Sequence, residues 1–199
     1  GLSKKINEIG LQFGLWVEPE MVNEDSELYQ EHPDWAVIIP NTNPSLGRNQ
    51  FILDLSQEAV CTYVIKEMSR VFSSANISYV KWDMNRIFTD YYSPALAPEK
   101  QSEFSHRYIL GLYKILDTLS TSFPQILFES CASGGNRFDL GMLCYMSQTW
   151  ASDNTDALCR TAIQTGYSYG YPSSVFGAHV SASPNHQTLR VTSFDTRFE

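Results

Sequence analysis

The sequence has 199 residues, of which 43% are hydrophobic, so it is long enough for one domain with a substantial core. Its 22 acidic residues outnumber its 14 lysines and arginines, which gives a formal net charge of −8. A surface of that sign repels phosphate backbones and disfavours nucleic acid, and no apolar run reaches the ~18–20 residues that span a bilayer, so a neutral or cationic small ligand fits best.

Short apolar runs alternate with longer helical patterns along the chain. The first ten residues predict an amphipathic helix and lack the apolar stretch of a signal peptide, so we expect the chain to begin inside a larger protein. Apolar residues recurring at three- and four-residue steps predict helices, and short apolar runs predict strands. In chain order these are strand 11–17, helix 56–74 capped by Ser56, strand 79–84, helix 104–119, strand 126–131, the short run 146–151, helix 155–170 and strand 174–180.

This alternation predicts an α/β fold with a parallel sheet. A (β/α)8 barrel is favoured over an open sheet because nearly every strand ends in chemically useful residues, and barrel enzymes collect their sites at those ends. About five strand–helix units are present where a barrel needs eight, so an incomplete barrel is expected. The residues at the strand ends are Glu18, Glu20, Asp83, Asn85, Glu129, Cys131, Asp153 and His179.

The run KWDMN carries the clearest candidate chemistry. Alternate residues of a strand share a face, so Lys81, Asp83 and Asn85 point one way while Trp82 and Met84 point the other. Polar groups on the interior face of a buried strand are costly unless they serve a ligand. The alternative is a surface strand with a Lys–Asp pair, but both flanks are apolar.

A second aspartate, Asp153, lies in SDNTD directly before a predicted helix. Such a residue is also an ordinary helix cap, and this is the preferred interpretation of Asp156. Trp150 favours a site at Asp153, since a Trp beside a carboxylate at a strand end is a common sugar-stacking arrangement. Two aspartates from different strand ends suggest glycoside hydrolysis, which needs a carboxylate pair.

Other polar features are open to more than one interpretation. In CASGGNR, Gly134 lets backbone approach a ligand, but the pattern also fits a tight turn, and no histidine motif supports Cys131 as a nucleophile. Trp16 fits either the core or a sugar platform, and His179 fits either the site or the core. Glu18 and Glu20 are interpreted as holding neighbouring loops. His32 and His106 are interpreted as surface or packing residues.

The four cysteines form no C-x-x-C pair, which disfavours a zinc site. A chain this long does not need disulfides, so we expect reduced cysteines in a cytoplasmic protein.

Several long strings resemble the bacterial α-galactosidases of glycoside hydrolase family 36. They are GLWVEPEMVN, HPDW, GRNQFILDLS, YVKWDMNR, ESCASGGNRFD, SQTWASDNTDA and HVSASPNHQT, and they cover nearly the whole chain in the family's order. The resemblance implies Asp83 as nucleophile and Asp153 as acid/base of a retaining enzyme. It also implies substrate-binding roles for Trp16, Arg48, Lys81, Asn85, Cys131, Gly134 and Trp150.

The same resemblance implies where the chain lies in the family's architecture. Residues 1–199 are expected to form a partial (β/α)8 catalytic domain, about strands three to seven, without the preceding β-sandwich, the first strands with their DDGW segment, or the last strand. The implied substrates are galactose-containing oligosaccharides such as melibiose and raffinose, with no metal or organic cofactor. Full-length members often form tetramers. The alternatives are a galactosyl transferase of the same family and a catalytically silent fragment that only binds sugar.

Overall fold

A computed structural model gives the structure of the protein and describes residues 1–198. The chain forms two compact units, Gly1–Leu127 and a second that begins at Phe128. Each contains helices and a pair of parallel strands, so the prediction of an α/β fold with parallel strands is confirmed. Within residues 1–198, every helix is too short or too polar to serve as a membrane span.

The first unit contains a parallel strand pair, an antiparallel strand pair and two long helices. The parallel pair sets Trp16 beside Lys81. At the end of the pair, the Asp83 N–H donates a hydrogen bond to the Val17 carbonyl. The antiparallel strand pair was not predicted from the sequence, since its strands are 27 residues apart. The elements are α1 (Leu2–Glu8), β1 (Gly14–Val17), β2 (Met21–Asn23), α2 (Glu27–Glu31), β3 (Gln50–Ile52), α3 (Glu58–Ser73), β4 (Tyr79–Trp82) and α4 (Phe104–Ser122), with 3-10 turns at Pro33–Trp35 and Pro98–Glu103.

Helices α3 and α4 pack against each other and carry much of the core of the first unit. The predicted apolar face of α4 is confirmed, because every residue assigned to it is buried, as expected for three- and four-residue spacing. Ser56 is not the cap of α3, since Gln57 occupies that position and the Ser56 hydroxyl donates instead to the buried Asp54 carboxylate at 2.5 Å. The buried α4 residues are Phe104, Tyr108, Leu112, Ile115, Leu116 and Leu119.

Gly111 makes the packing of α4 possible, and its replacement by alanine is expected to destabilise the protein. A Cβ at this position would overlap the carbonyl oxygen of Leu55 and lie 3.0 Å from the Cys61 sulfur. Overpacking against backbone should lower the free energy of unfolding by about 2–3 kcal/mol. Gly166, inside a helix of the second unit with nothing within 4 Å of an added Cβ, is the matched control.

Urea denaturation measures both variants. Gly166→Ala should raise the free energy of unfolding by about 0.5–1 kcal/mol, because alanine is the better helix former. Equal effects of the two substitutions would contradict the close packing at Gly111.

The second unit is built on a shorter parallel pair, in which Glu129 is beside Gln148 and Ser130 beside Thr149. Phe138, Ala151 and Phe176 form a buried cluster of this unit, with Tyr167 and Tyr171 packed against it. The elements are β5 (Leu127–Ser130), α5 (Leu140–Leu143), β6 (Gln148–Thr149), α6 (Ala157–Ser168) and α7 (Phe194–Phe198), with a 3-10 turn at Ser173–Val175.

The predicted strand 174–180 is wrong. The chain makes the 3-10 turn and then one isolated bridge between Phe176 and Thr149. Beyond it, the Gly177 carbonyl accepts a hydrogen bond from the Arg160 guanidinium at 2.8 Å. A side chain therefore occupies an acceptor that a strand ladder would use.

Candidate active site

Asp83 follows β4 and is held by a set of N–H donors. The Trp16 indole and the Asn85 amide both donate to Oδ2, at 3.0 and 2.8 Å, and the Met84 peptide N–H donates to Oδ1 at 2.9 Å. The residue is buried, with 6% of its surface exposed. Such donors fix the orientation of a carboxylate and stabilise its negative charge. The sequence alternative of a surface Lys–Asp strand is wrong, since Asp83 itself is buried.

Trp16 combines this hydrogen bond with an exposed ring. It lies on β1 beside Lys81 of β4, and 52% of its surface is exposed although it is a large aromatic residue. An indole whose N–H is satisfied and whose face is open to solvent suits stacking on an apolar sugar face. Of the two interpretations left open by the sequence, the core is therefore excluded for Trp16.

Glu18 holds a neighbouring loop, as predicted, whereas Glu20 holds a strand and a helix instead of a loop. Glu18 accepts the Asn85 peptide N–H at 2.9 Å and the Gln50 side-chain amide at 3.1 Å, so it fixes the loop that follows Asp83. Glu20 is fully buried and accepts the Trp82 indole N–H at 2.8 Å and the Tyr108 hydroxyl at 2.5 Å. Both carboxylates thus support the strand that presents Asp83.

Arg48 lies at the tip of a tight turn with positive φ (55°). Gly47 and Gln50 exchange backbone hydrogen bonds across the turn, at 3.3 and 3.0 Å. The buried Arg86 donates to the carbonyls of Ser45 and Gln50, at 2.6 and 3.3 Å, so it braces the turn from both sides. Arg48 itself is exposed on this braced support.

In the second unit, Asp153 lies in the irregular segment between β6 and α6. Its Oδ1 accepts the Trp150 indole N–H at 2.9 Å, and its side chain is exposed. The same chemical pairing, an indole N–H with a carboxylate, thus occurs at both predicted catalytic aspartates. Asp156, by contrast, caps α6 by accepting the Cys159 peptide N–H at 3.1 Å, which confirms the sequence interpretation.

Gly134 lies against the backbone that carries Asp153. It has a φ of +87°, and an added Cβ would be 2.9 Å from the Ser152 Cα and 3.0 Å from the Asp153 nitrogen. Only glycine satisfies both demands, so the glycine pair is more than a generic turn. Cys131 directly follows β5 and is buried, and the four cysteines, all within the described residues, form no disulfide.

Arg160 is a site residue that the sequence reasoning missed. Its guanidinium lies 4.4 Å from the centre of the Trp150 ring and donates to the Ser152 carbonyl at 2.8 Å. Burial lowers the pKa of Arg160, and the charge of Asp153 opposes that shift. The sequence signal that could have identified Arg160 is the presence of a charged residue on the side of α6 that is buried. The His179 ring also contacts Trp150, with ring centres 4.9 Å apart and the two planes tilted by 56°.

Glu129 lies on β5 with 7% of its surface exposed, and burial raises its pKa to about 7. Since the unfolded chain loses this proton near pH 4.5, the associated stability is full below that pH and is lost as pH rises through 7. Between pH 5 and 8 the loss should approach about 3 kcal/mol.

Glu129→Gln should remove that pH dependence, because the amide does not titrate. Denaturant unfolding at pH 5 and 8 measures the effect. Glu103→Gln is the control, because hydrogen bonds from Lys100 and Arg107 lower the pKa of Glu103 and keep it ionised throughout this range. If the free energy of unfolding of Glu129→Gln still fell between pH 5 and 8 as in the unsubstituted protein, the raised pKa of Glu129 would be refuted.

Within residues 1–198, no group of three His, Cys, Asp or Glu side chains is arranged to hold a metal ion.

Comparisons with known proteins show which proteins this chain is similar to. The family model described as Melibiase matches residues 1–199. The chain is 61% identical to α-galactosidase AgaA of Geobacillus stearothermophilus over 99% of its length, and 54% identical to α-galactosidase 1 of Pediococcus pentosaceus over 98%. It spans only 27% and 26% of these relatives.

Solved structures give the same result. The crystal structure of AgaA superposes with a TM-score of 0.97, covering 99% of this chain and 27% of that one. A variant of AgaA in complex with raffinose, 60% identical, superposes equally well over the same shares of the two chains.

Proposed function

Because this chain belongs to the melibiase family, we propose that its protein is a retaining α-galactosidase acting on terminal α-galactosides of the melibiose and raffinose type. One observation carries the proposal. Each of two aspartates that follow parallel strands accepts an indole N–H from a tryptophan, which joins a carboxylate to an aromatic surface. Glycoside hydrolysis requires two carboxyl groups, and the tryptophan beside each aspartate adds an aromatic surface on which a sugar can stack.

In this mechanism Asp83 is the nucleophile. One carboxylate oxygen forms a bond to the anomeric carbon while the bond to the leaving oxygen breaks, and Asp153 supplies the proton that the leaving group needs. Asp153 then takes a proton from water, the water oxygen attacks the anomeric carbon, and the bond to Asp83 breaks. The N–H donors from Trp16, Met84 and Asn85 orient the Asp83 carboxylate for attack, whereas the side chain of Asp153 is exposed, so solvent water can reach it.

The remaining site residues bind the sugar in this proposal. Trp16 and Trp150 supply aromatic surfaces, and Lys81, Asn85 and Arg48 supply hydrogen-bond donors to hydroxyl groups. Cys131 and Gly134 form the wall beside the ring, where the absence of a side chain at Gly134 lets the wall pack closely on the backbone of Ser152 and Asp153.

The architecture proposed for the whole protein extends the chain described here. Residues 1–199 would be the middle of a (β/α)8 barrel, about strands three to seven, and a β-sandwich with the other barrel strands would lie elsewhere in the protein. A homotetramer, as the resemblance implies, and a cytoplasmic location, as expected from reduced cysteines, complete the proposal. Size-exclusion chromatography with light scattering of the complete protein tests the oligomeric state.

The configuration of the first sugar released tests the mechanism. Proton NMR during cleavage of an aryl α-galactoside by the complete protein should show α-galactose first, followed by slow conversion to the β form. Appearance of the β anomer first would mean inversion and would contradict a covalent intermediate on Asp83. Sugar binding without turnover would favour the silent alternative, and transfer to added sugar acceptors would favour the transferase.

A further inference from the structure

One side-chain amide fastens a separate loop to the backbone that carries Asp153. The Gln187 Nε2 donates to the Asp153 carbonyl at 2.9 Å, and its Oε1 accepts the Thr155 peptide N–H at 2.7 Å. The Thr155 hydroxyl also donates to this oxygen, at 3.0 Å. Because one contact demands a donor and the other an acceptor, the orientation of the amide is determined by chemistry.

The loop that presents Gln187 is itself held by hydrogen bonds. Asn185 is buried, and its Oδ1 accepts the peptide N–H groups of Gln187 and Thr188, at 2.9 and 3.1 Å. Its Nδ2 donates to the Thr155 hydroxyl at 3.0 Å. The Thr188 hydroxyl donates to Asp156 at 2.6 Å, so the loop is anchored on the helix cap as well.

We propose that Gln187 is a positioning residue for Asp153, an inference that rests on the proposed function. Asp153 is exposed and lies outside any helix or strand, so regular backbone hydrogen bonds do not determine its direction. Trp150 orients the carboxylate and Gln187 orients the peptide from which it projects. A catalytic acid must meet the leaving oxygen at hydrogen-bond distance, and small misplacements there have large kinetic costs.

The dependence of the rate on the leaving group tests this role in the complete protein. The leaving group of a dinitrophenyl galactoside departs as a phenolate without being protonated, whereas the sugar that leaves melibiose must receive a proton. A misplaced acid therefore slows the cleavage of melibiose only. Gln187→Ala should lower kcat/KM for melibiose about tenfold and for the dinitrophenyl substrate less than about threefold. This selectivity is a readout that a general loss of structure does not produce.

Gln101 offers a matched control, because its amide also clamps a loop. Its Nε2 donates to the carbonyls of Ser93 and Leu96, both at 2.8 Å, and its Oε1 accepts the Ser93 N–H at 3.0 Å. That loop carries none of the proposed site residues. Gln101→Ala should therefore change kcat/KM for both substrates by the same factor or not at all.

Asp153→Ala separates the possible failures. If it shows strong selectivity for the activated substrate while Gln187→Ala shows none, the inference about Gln187 is overturned and the proposed function stands. If Asp153→Ala shows no selectivity, the acid assignment falls, and the role of Gln187 falls with it. Should Gln187→Ala fail to fold, Gln187→Glu keeps the acceptor for Thr155, loses the donor to Asp153, and should show the same selectivity.

Discussion

Replacement of Asp83 by alanine should lower kcat for α-galactoside hydrolysis by about 10⁴-fold or more, because the variant has no group to form the galactosyl intermediate. The loss should be similar for activated and natural substrates, since both pass through that intermediate. Trp16 and Asn85 would lose a hydrogen-bond acceptor, but the fold should survive, as Trp16 is half exposed. Steady-state rates of the purified complete protein, with thermal melting beside them, measure the effect.

Azide gives this prediction a chemical signature. In Asp83→Ala, azide can enter the space of the carboxylate and attack the anomeric carbon directly as the leaving group departs, forming β-galactosyl azide. Asp117→Ala, on the exposed side of α4, is the control and should keep normal turnover. Normal rates in Asp83→Ala would exclude this residue as the nucleophile.

Replacement of Asp153 by alanine should slow substrates with poor leaving groups by about 10²–10⁴-fold, the usual contribution of a general acid. Aryl substrates of low leaving-group pKa should still form the galactosyl intermediate, which then accumulates because no base activates water. A burst of released phenol followed by a slow steady state is the expected time course.

Azide distinguishes the two aspartates by product configuration. In Asp153→Ala it attacks the intermediate on Asp83 from the opposite face, so the product is α-galactosyl azide. Asp139→Ala is the control, since Asp139 caps α5 by accepting the Met142 N–H at 2.9 Å. It should cost about 1 kcal/mol of stability and leave the kinetics intact. β-Galactosyl azide from Asp153→Ala would contradict its role as acid/base.

Helices were the most predictable part of the fold, because their signals are local. The apolar face of α4 and the cap at Asp156 depend on residues within one or two turns, and both were predicted correctly. The antiparallel strand pair and the segment after Ser173 were not predicted correctly, since strand pairing depends on a distant partner. The residues around Phe176 have the apolar pattern of a strand, but Phe176 forms an isolated β-bridge to Thr149 instead of a strand ladder.

The sequence by itself determined the family, the placement of Asp83 at the C-terminal end of a buried strand, and the identity of the candidate catalytic pair. Only the tertiary structure decided which groups hold those carboxylates: Trp16 reaches Asp83 across 67 residues and Gln187 reaches the Asp153 carbonyl across 34. The physical reason is that periodicity and capping are properties of neighbouring residues, whereas a hydrogen bond between distant segments exists only after packing has brought its donor and acceptor together.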